Sequence, residues 1–209
     1  ILLGLDNYRR PVFYDGWHPS LENFNLVIFG RSGAGKSFTI KIITRRSMLE
    51  GIMTVIIDPE REYKNLVLAT GGPYIELSPK SKDYARINIY DVHVEDGRVN
   101  LFETMKGVEA VIFKMLRLFD GGRAITSQVA AALEQTLGQL YDRFGITEDP
   151  RSLHDRYGKP KPMPTLFDHY LLMKEHQDLQ EVANVVRMFT RESRYKNQAI
   201  FDGQSSVNM

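Results

Sequence analysis

Cysteine is absent from this chain. That excludes a disulfide framework and any thiolate metal site, and it fits a reducing compartment. An excess of one charge is missing too. Twenty-seven basic residues face 26 acidic ones, for a formal net charge of +1. Nothing global therefore points to nucleic acid, and any such contact has to use a local patch. No apolar run approaches the ~20 residues that span a bilayer, and no signal peptide is visible. Internal repeats and low-complexity segments are also lacking. What remains, 209 residues at 43% hydrophobic and 25% charged, is ordinary globular composition. The chain starts at Ile1 without a methionine and ends at "SSVNM", which reads as a piece of a longer polypeptide.

The strongest local signal is GRSGAGKS at residues 30–37, directly after the apolar run Leu26-Val27-Ile28-Phe29. It satisfies G-x-x-x-x-G-K-[ST] at every position. The glycines permit backbone angles that a side chain forbids, and they let successive N–H groups turn toward phosphate oxygens. A helix beginning near Lys36 adds its positive N-terminal end. Lys36 is expected to reach the β- and γ-phosphates, Ser37 to place its hydroxyl on Mg²⁺, and Thr39 to bond the α-phosphate. The expected nucleotide-binding set is Gly30, Ser32, Gly33, Ala34, Gly35, Lys36, Ser37, Phe38 and Thr39, with ATP or ADP and Mg²⁺ as cofactors.

The flanking sequence has the context such a loop needs. Asn25–Phe29 reads as a strand buried on both faces. Lys36–Glu50 reads as a helix stopped by Gly51. "MTVIIDPE" reads as a second buried strand ending in Asp58 and Glu60. Together they predict a βαβ unit with a right-handed crossover. "VFYDG" predicts a strand and turn before it, and "YIELS" and "RINIY" predict short strands after it.

From about residue 107 the period changes to that of helices. Val108, Val111, Ile112, Met115, Leu116 and Phe119 repeat at helical spacing, as do Val129, Leu133, Leu137, Leu140, Tyr141 and Phe144. Thr165 with Asp168 resembles a capping box opening "LFDHYLLMKEHQ", and Leu179, Val182, Val185, Val186 and Phe189 repeat once more. These stripes are expected to be core. "AIFDGQSSV" reads as a strand returning to the sheet. The fold class is α/β, a partial RecA-like P-loop core with an inserted all-α subdomain. Residues 1–106 form the first part of the nucleotide-binding domain, 107–195 the helical subdomain, and 196–209 the return.

The acids leave alternatives open. Asp58 is either the Mg²⁺-organising acid of a compact P-loop enzyme, or a residue lining the site from a neighbouring strand, or part of an acidic turn with Pro59. No later strand ends in Asp-Glu; "LRLFDGG" with Asp120 comes closest, at the end of a helical pattern. His18, His93, His154, His169 and His176 show no metal-ligand spacing and are expected at the surface or as caps. The basic stretch "RMFTRESRYK" at 187–196 is expected to be a solvated helix end.

Taken in order, "NLVIFGRSGAGKSFTIK", "VIIDPEREY", "YARINIYDV", a helical insertion and "AIFDGQSSV" resemble the conjugation-type ATPases of bacterial type IV secretion systems. These are VirB/TraC/CagE-like assembly ATPases in the HerA/FtsK branch of RecA-like motors, and the resemblance covers nearly the whole chain. It implies a cytoplasmic ATPase at the inner face of the bacterial membrane, energising channel or pilus assembly and substrate transfer by Mg-ATP hydrolysis. The implied partners are further subunits of the same ATPase, a hexamer being one arrangement, inner-membrane channel proteins, and DNA in transit. Glu60 falls on the family's acidic motif and would contact the catalytic water or Mg²⁺, making Lys36 and Glu60 the catalytic pair and Ser37 and Asp58 the metal pair. The family's Walker B acids and arginine-bearing motifs would follow Met209. The rival readings are a DNA-translocating coupling protein or HerA-like motor, a compact P-loop kinase using Asp58, and a nucleotide-locked scaffold.

Overall fold

Short β signals at the start of the chain form a hairpin in the computed structural model, which describes residues 1–77, 85–194 and 200–206. Strand β1 (Leu2–Leu5) pairs antiparallel with β2 (Pro11–Phe13). The Asp6 carboxylate closes the connection by accepting from the N–H groups of Tyr8 and Arg10 at 2.8 and 2.9 Å. Helix α1 (Lys36–Leu49) follows the glycine-rich loop, and a one-and-a-half-turn helix α2 (Lys64–Ala69) follows the second acidic segment. These elements belong to the first of two units, Ile1–Tyr74; the second is Ile75–Met209.

The two buried strands expected around the loop are not formed. Residues 25–29 and 52–57 join no sheet among the described residues. Their apolar side chains face water instead: Phe29 is 89% exposed, Met53 89%, Val55 83% and Ile57 91%. A parallel strand is stable only when neighbours fill its hydrogen-bond ladder and cover both of its faces. This unit offers one helix of 14 residues and one of 6 for that purpose. The expected βαβ unit is therefore present in its helix and its loop, but not as paired strands. "YIELS" falls partly on residues outside the described set, and its described part carries no strand; nor does "RINIY".

The second unit is built on helices. A small hairpin, β3 (Val94–Glu95) and β4 (Arg98–Val99), turns through Asp96 and Gly97 with φ of 49° and 76°. Such left-handed pairs suit Asp-Gly. Helix α3 (Leu101–Asp120) starts where the Asn100 side chain accepts from Glu103 N–H, seven residues ahead of Val108, where the apolar stripe begins. Then come α4 (Ser127–Phe144), α5 (Leu166–Glu175) and α6 (Gln180–Arg187). The apolar stripes meet in one core: Val108, Ile112 and Leu116 of α3, Leu133, Leu137 and Leu140 of α4, and Val182 and Val186 of α6 are at most 1% exposed. Phe119 is the exception at 45% exposure, set edge-on to Phe189 with ring centres 5.7 Å apart.

Thr165 and Asp168 form the capping box the spacing implied, each side chain bonding the other's backbone N–H. Thr165→Ala should destabilise the second unit by about 1–2 kcal/mol, read as a lower urea midpoint with unchanged slope. An unchanged midpoint would show that α5 is held by its packing alone.

His169 departs from the surface role its spacing suggested. It is fully buried, because position 169 lies on the face of α5 turned toward α4 and Tyr90. Tyr90 Oη lies 2.9 Å from its Nδ1, and Thr136 Oγ1 lies 3.0 Å from its Nε2. His18 and His176 do act as local caps, accepting from the N–H groups of Ser20 and Asp178.

The segment "AIFDGQSSV" returns, but not as a strand. Its described residues, 200–206, lie along 86–88. Ile87 N–H donates to Ile200 O, while Ser206 and Ser205 hydroxyls accept from Arg86 and Asn88 N–H. Gly203, at φ 141°, and the serine side chains break the regular ladder a strand requires. Asp202 is buried. It accepts from Phe167 N–H at the start of α5, from Arg191 N–H, and from the Arg191 guanidinium at 3.0 Å. The basic stretch is thus held in part by one internal carboxylate; its residues 195–196 lie outside the described set.

Candidate nucleotide site

The glycine-rich loop is shaped as its sequence requires. Ala34 N–H closes a turn on Arg31 O at 3.1 Å. Gly33 and Gly35 sit at φ 77° and 85°. A Cβ at either position would meet nothing within 4 Å, so backbone angle and not space demands glycine there. Gly30 differs: a Cβ there would lie 3.2 Å from Lys36 Cγ, because the lysine stem passes over it.

Helix α1 begins immediately at Lys36. Gly35 caps it without a side-chain acceptor, and its first turn carries no acid. The first N–H groups of a helix have no acceptor within it, so this end is left for an external anion. Lys36 Nζ folds back and donates to Gly30 O at 2.9 Å and Arg31 O at 3.0 Å. Those carbonyls hold the ammonium against the loop. Thr39 Oγ1 donates to Gly35 O at 3.1 Å, which stiffens the first turn. Ser32, Gly33 and Ala34 are exposed, Ser37 is half-buried, and Phe38 is 68% exposed.

Asp58 ends the second apolar segment and accepts from Glu62 N–H at 3.1 Å and Tyr63 N–H at 2.8 Å. It therefore caps the turn into α2. Arg61 inside that turn has φ 59°, a left-handed conformation that costs a non-glycine residue about 1 kcal/mol. Lys41 Nζ of α1 sits 5.1 Å from the Tyr63 ring centre. Lys41 is five residues past Lys36, or about 7.5 Å along the helix axis, so the Asp58 turn packs beside the first half of α1. Burial first, then the Glu62 and Asp58 charges, raises the Tyr63 phenol. Glu60 is exposed. Asp120, the nearest later candidate, accepts from Gly122 and Ala124 N–H and finishes α3.

The donor set fits a polyphosphate: an uncapped helix start, a left-handed glycine pair and one ammonium. It fits Mg²⁺ only as P-loops do, through the Ser37 hydroxyl shared with phosphate oxygens. Among the described residues no group of three His, Cys, Asp or Glu is placed to hold a metal.

Residues 25–110 match the family described as the central domain of the helicase HerA. The whole chain matches the solved structure of VirB4 of Thermoanaerobacter pseudethanolicus, with a TM-score of 0.70 and 26% identity. This chain is VirB4/HerA-like. The match covers 100% of this chain and 53% of the other, so the chain spans about half the length of that VirB4. No curated protein matches it. The likeness over the whole chain agrees with an α/β fold of the VirB4 type. No helix among the described residues is long and apolar enough to cross a membrane.

Proposed function

We propose that this chain binds Mg-ATP at residues 30–39 and forms the nucleotide-binding part of a type IV secretion or conjugation motor. In that motor, ATP hydrolysis would energise channel or pilus assembly and substrate transfer at the cytoplasmic face of the membrane. The observation that carries the reading is the start of α1, uncapped and without an acid, with Lys36 Nζ held over the loop. Lys36 would exchange its two carbonyl acceptors for β- and γ-phosphate oxygens and stabilise the charge that develops on them. Ser37 would give its hydroxyl to the metal, which neutralises charge between those oxygens. Asp58 would keep both oxygens on the turn before α2, one on Glu62 N–H and one on Tyr63 N–H, and offer their remaining lone pairs to the metal's water shell. Glu60 would orient the attacking water.

The helices fit an all-α subdomain inserted into a RecA-like domain. Supporting this, residues 86–88 before the helices and 200–206 after them are bonded to each other, so the chain leaves and re-enters at one place. The exposed Phe29, Val55 and Ile57 are what a RecA-like sheet would bury once further strands joined it. Further subunits of the same ATPase and inner-membrane channel proteins are the partners this reading requires.

Calorimetric titration of the 209-residue chain tests the site. Saturable binding of Mg-ATP and Mg-ADP, with AMP far weaker, is expected, because the loop grips the β-phosphate. AMP binding as tightly as ATP would sink the proposal. A second reading, a duplex-DNA translocase, is favoured by the HerA match over residues 25–110. ATP turnover stimulated by duplex DNA would put it first.

A further inference from the structure

A side-chain contact joins the Asp58 turn to α1. Residues 52–57, which lead into the turn, join no sheet among the described residues. Within itself the turn is rigid. Asp58 O accepts from Arg61 N–H at 3.4 Å, and the carboxylate accepts from Glu62 N–H at 3.1 Å and Tyr63 N–H at 2.8 Å. With one oxygen on each of the last two donors, the carboxylate cannot rotate without losing a bond. Tyr63 O accepts from Val67 N–H at 3.0 Å. The Tyr63 backbone is thus fixed on both sides, between the carboxylate and the first turn of α2.

The Tyr63 ring is half-buried and has Lys41 Nζ of α1 at 5.1 Å from its centre. Lys41 comes four residues after Ser37, so the two share one face of α1, about 6 Å apart along its axis. One helix face therefore carries both the hydroxyl assigned to the metal and the ammonium that holds the Asp58 turn. An ammonium is drawn to the electron-rich face of a neutral ring. Burial, which raises the Tyr63 phenol, keeps that ring neutral.

We propose that Tyr63, gripped by Lys41, is a positioning residue for the metal: it keeps the Asp58 carboxylate on the Ser37 face of α1, where it serves the water shell of the Mg²⁺ that Ser37 binds. This rests on the reading of Ser37 and Asp58 as the metal pair. Tyr63 acts through Asp58, by its N–H on one carboxylate oxygen and by its ring on α1. Partners that orient a metal's ligands matter nearly as much as the ligands, because a carboxylate free to swing spends binding energy on being ordered. A tyrosine that merely filled space would support the fold without any selective effect on the metal.

Calorimetric titration of the 209-residue chain with ATP, once in Mg²⁺ and once in EDTA, gives a ratio of two affinities that isolates the metal. Tyr63→Ala should lower this ratio about tenfold and leave the EDTA affinity, which depends on Lys36 and the glycine-rich loop, unchanged. Tyr63→Phe keeps the ring face and should keep the ratio. Lys41→Met keeps the stem without the charge and should lower the ratio about two- to fivefold. In an Asp58→Asn background, Tyr63→Ala should have no further effect, since it acts through that carboxylate. The inference is overturned if Tyr63→Ala leaves the ratio unchanged, lowers both affinities equally, or lowers the ratio further in the Asp58→Asn background. A wild-type chain that binds no ATP, or an unchanged ratio in Asp58→Asn itself, overturns the metal-pair reading and this inference with it. A ratio lowered by Asp58→Asn but not by Tyr63→Ala overturns this inference alone.

Discussion

Replacement of Lys36 by alanine is expected to lower Mg-ATP affinity about 30- to 150-fold. Without nucleotide, the ammonium has two carbonyl acceptors, on Gly30 and Arg31. Bound to nucleotide it would trade them for anionic phosphate oxygens, and charge-assisted bonds of that kind are each worth about 1.5–3 kcal/mol. The exchange sets back some of that gain, leaving a net loss near ~2–3 kcal/mol. The helix start and the glycine pair remain, so weak binding should persist. Folding should hardly change, because the carbonyl contacts are exposed. Calorimetry on the wild type and the variant reads the ratio directly. An affinity within about threefold of wild type would show that Lys36 does not meet the phosphates. Lys36→Arg should not restore binding, since a planar fork cannot occupy the path that the lysine stem takes over Gly30.

The second large effect is on stability in acid. Burial pulls His169 down to about 3 from an ordinary value of 6.5. Its surroundings explain why it stays neutral. Thr136 spends its hydroxyl proton on the Ala132 or Leu133 carbonyl, at 3.0 and 3.1 Å. Its oxygen can therefore only accept, and His169 Nε2 carries the proton it receives. Nδ1 is then bare and accepts from the Tyr90 hydroxyl. Tyr141 in turn donates to Tyr90 O at 3.0 Å, and burial raises both phenols. Protonating Nδ1 would oppose two donors in a dry core.

The sign follows from the lowered value. Above pH 6.5 the ring is neutral folded and unfolded, and stability does not vary on its account. Between pH 6.5 and about 3 the unfolded chain binds a proton that the folded chain refuses. Stability falls by up to about 1.4 kcal/mol per pH unit, to a ceiling near ~5 kcal/mol. Urea unfolding at pH 6.5 and 4.5 should cost wild type about 2–3 kcal/mol more than His169→Gln. In ring ¹⁵N spectra His169 should hold the Nε2–H tautomer without titrating above about pH 4. Titration near 6.5 would refute the buried network.

Several features are legible in the residues alone. The loop at 30–37, with Gly33 and Gly35 at positive φ, the helix behind it and the Thr165–Asp168 box are governed by partners within a few residues. Apolar stripes at helical spacing mark the core of the second unit for a similar reason: one face of each helix must leave water. The "DPERE" turn is harder. Asp58 can be read as a metal acid, as an acid lining the site from a neighbouring strand or as a turn acid, and nothing in the sequence shows that its carboxylate accepts from the Glu62 and Tyr63 N–H groups.

By itself, then, the sequence determined the glycine-rich loop, the helices and the Thr165–Asp168 cap, since each depends on backbone angles and hydrogen bonds spanning three or four residues. Tertiary structure decided the rest. It buried His169 against Thr136, 33 residues away, and closed Asp202 onto Arg191. It laid Ser206 beside Arg86 across 120 residues, and it left Phe29 and Ile57 in water. A strand's burial is set by neighbours elsewhere in the chain or outside it, and an apolar run alone carries no record of whether they are in place.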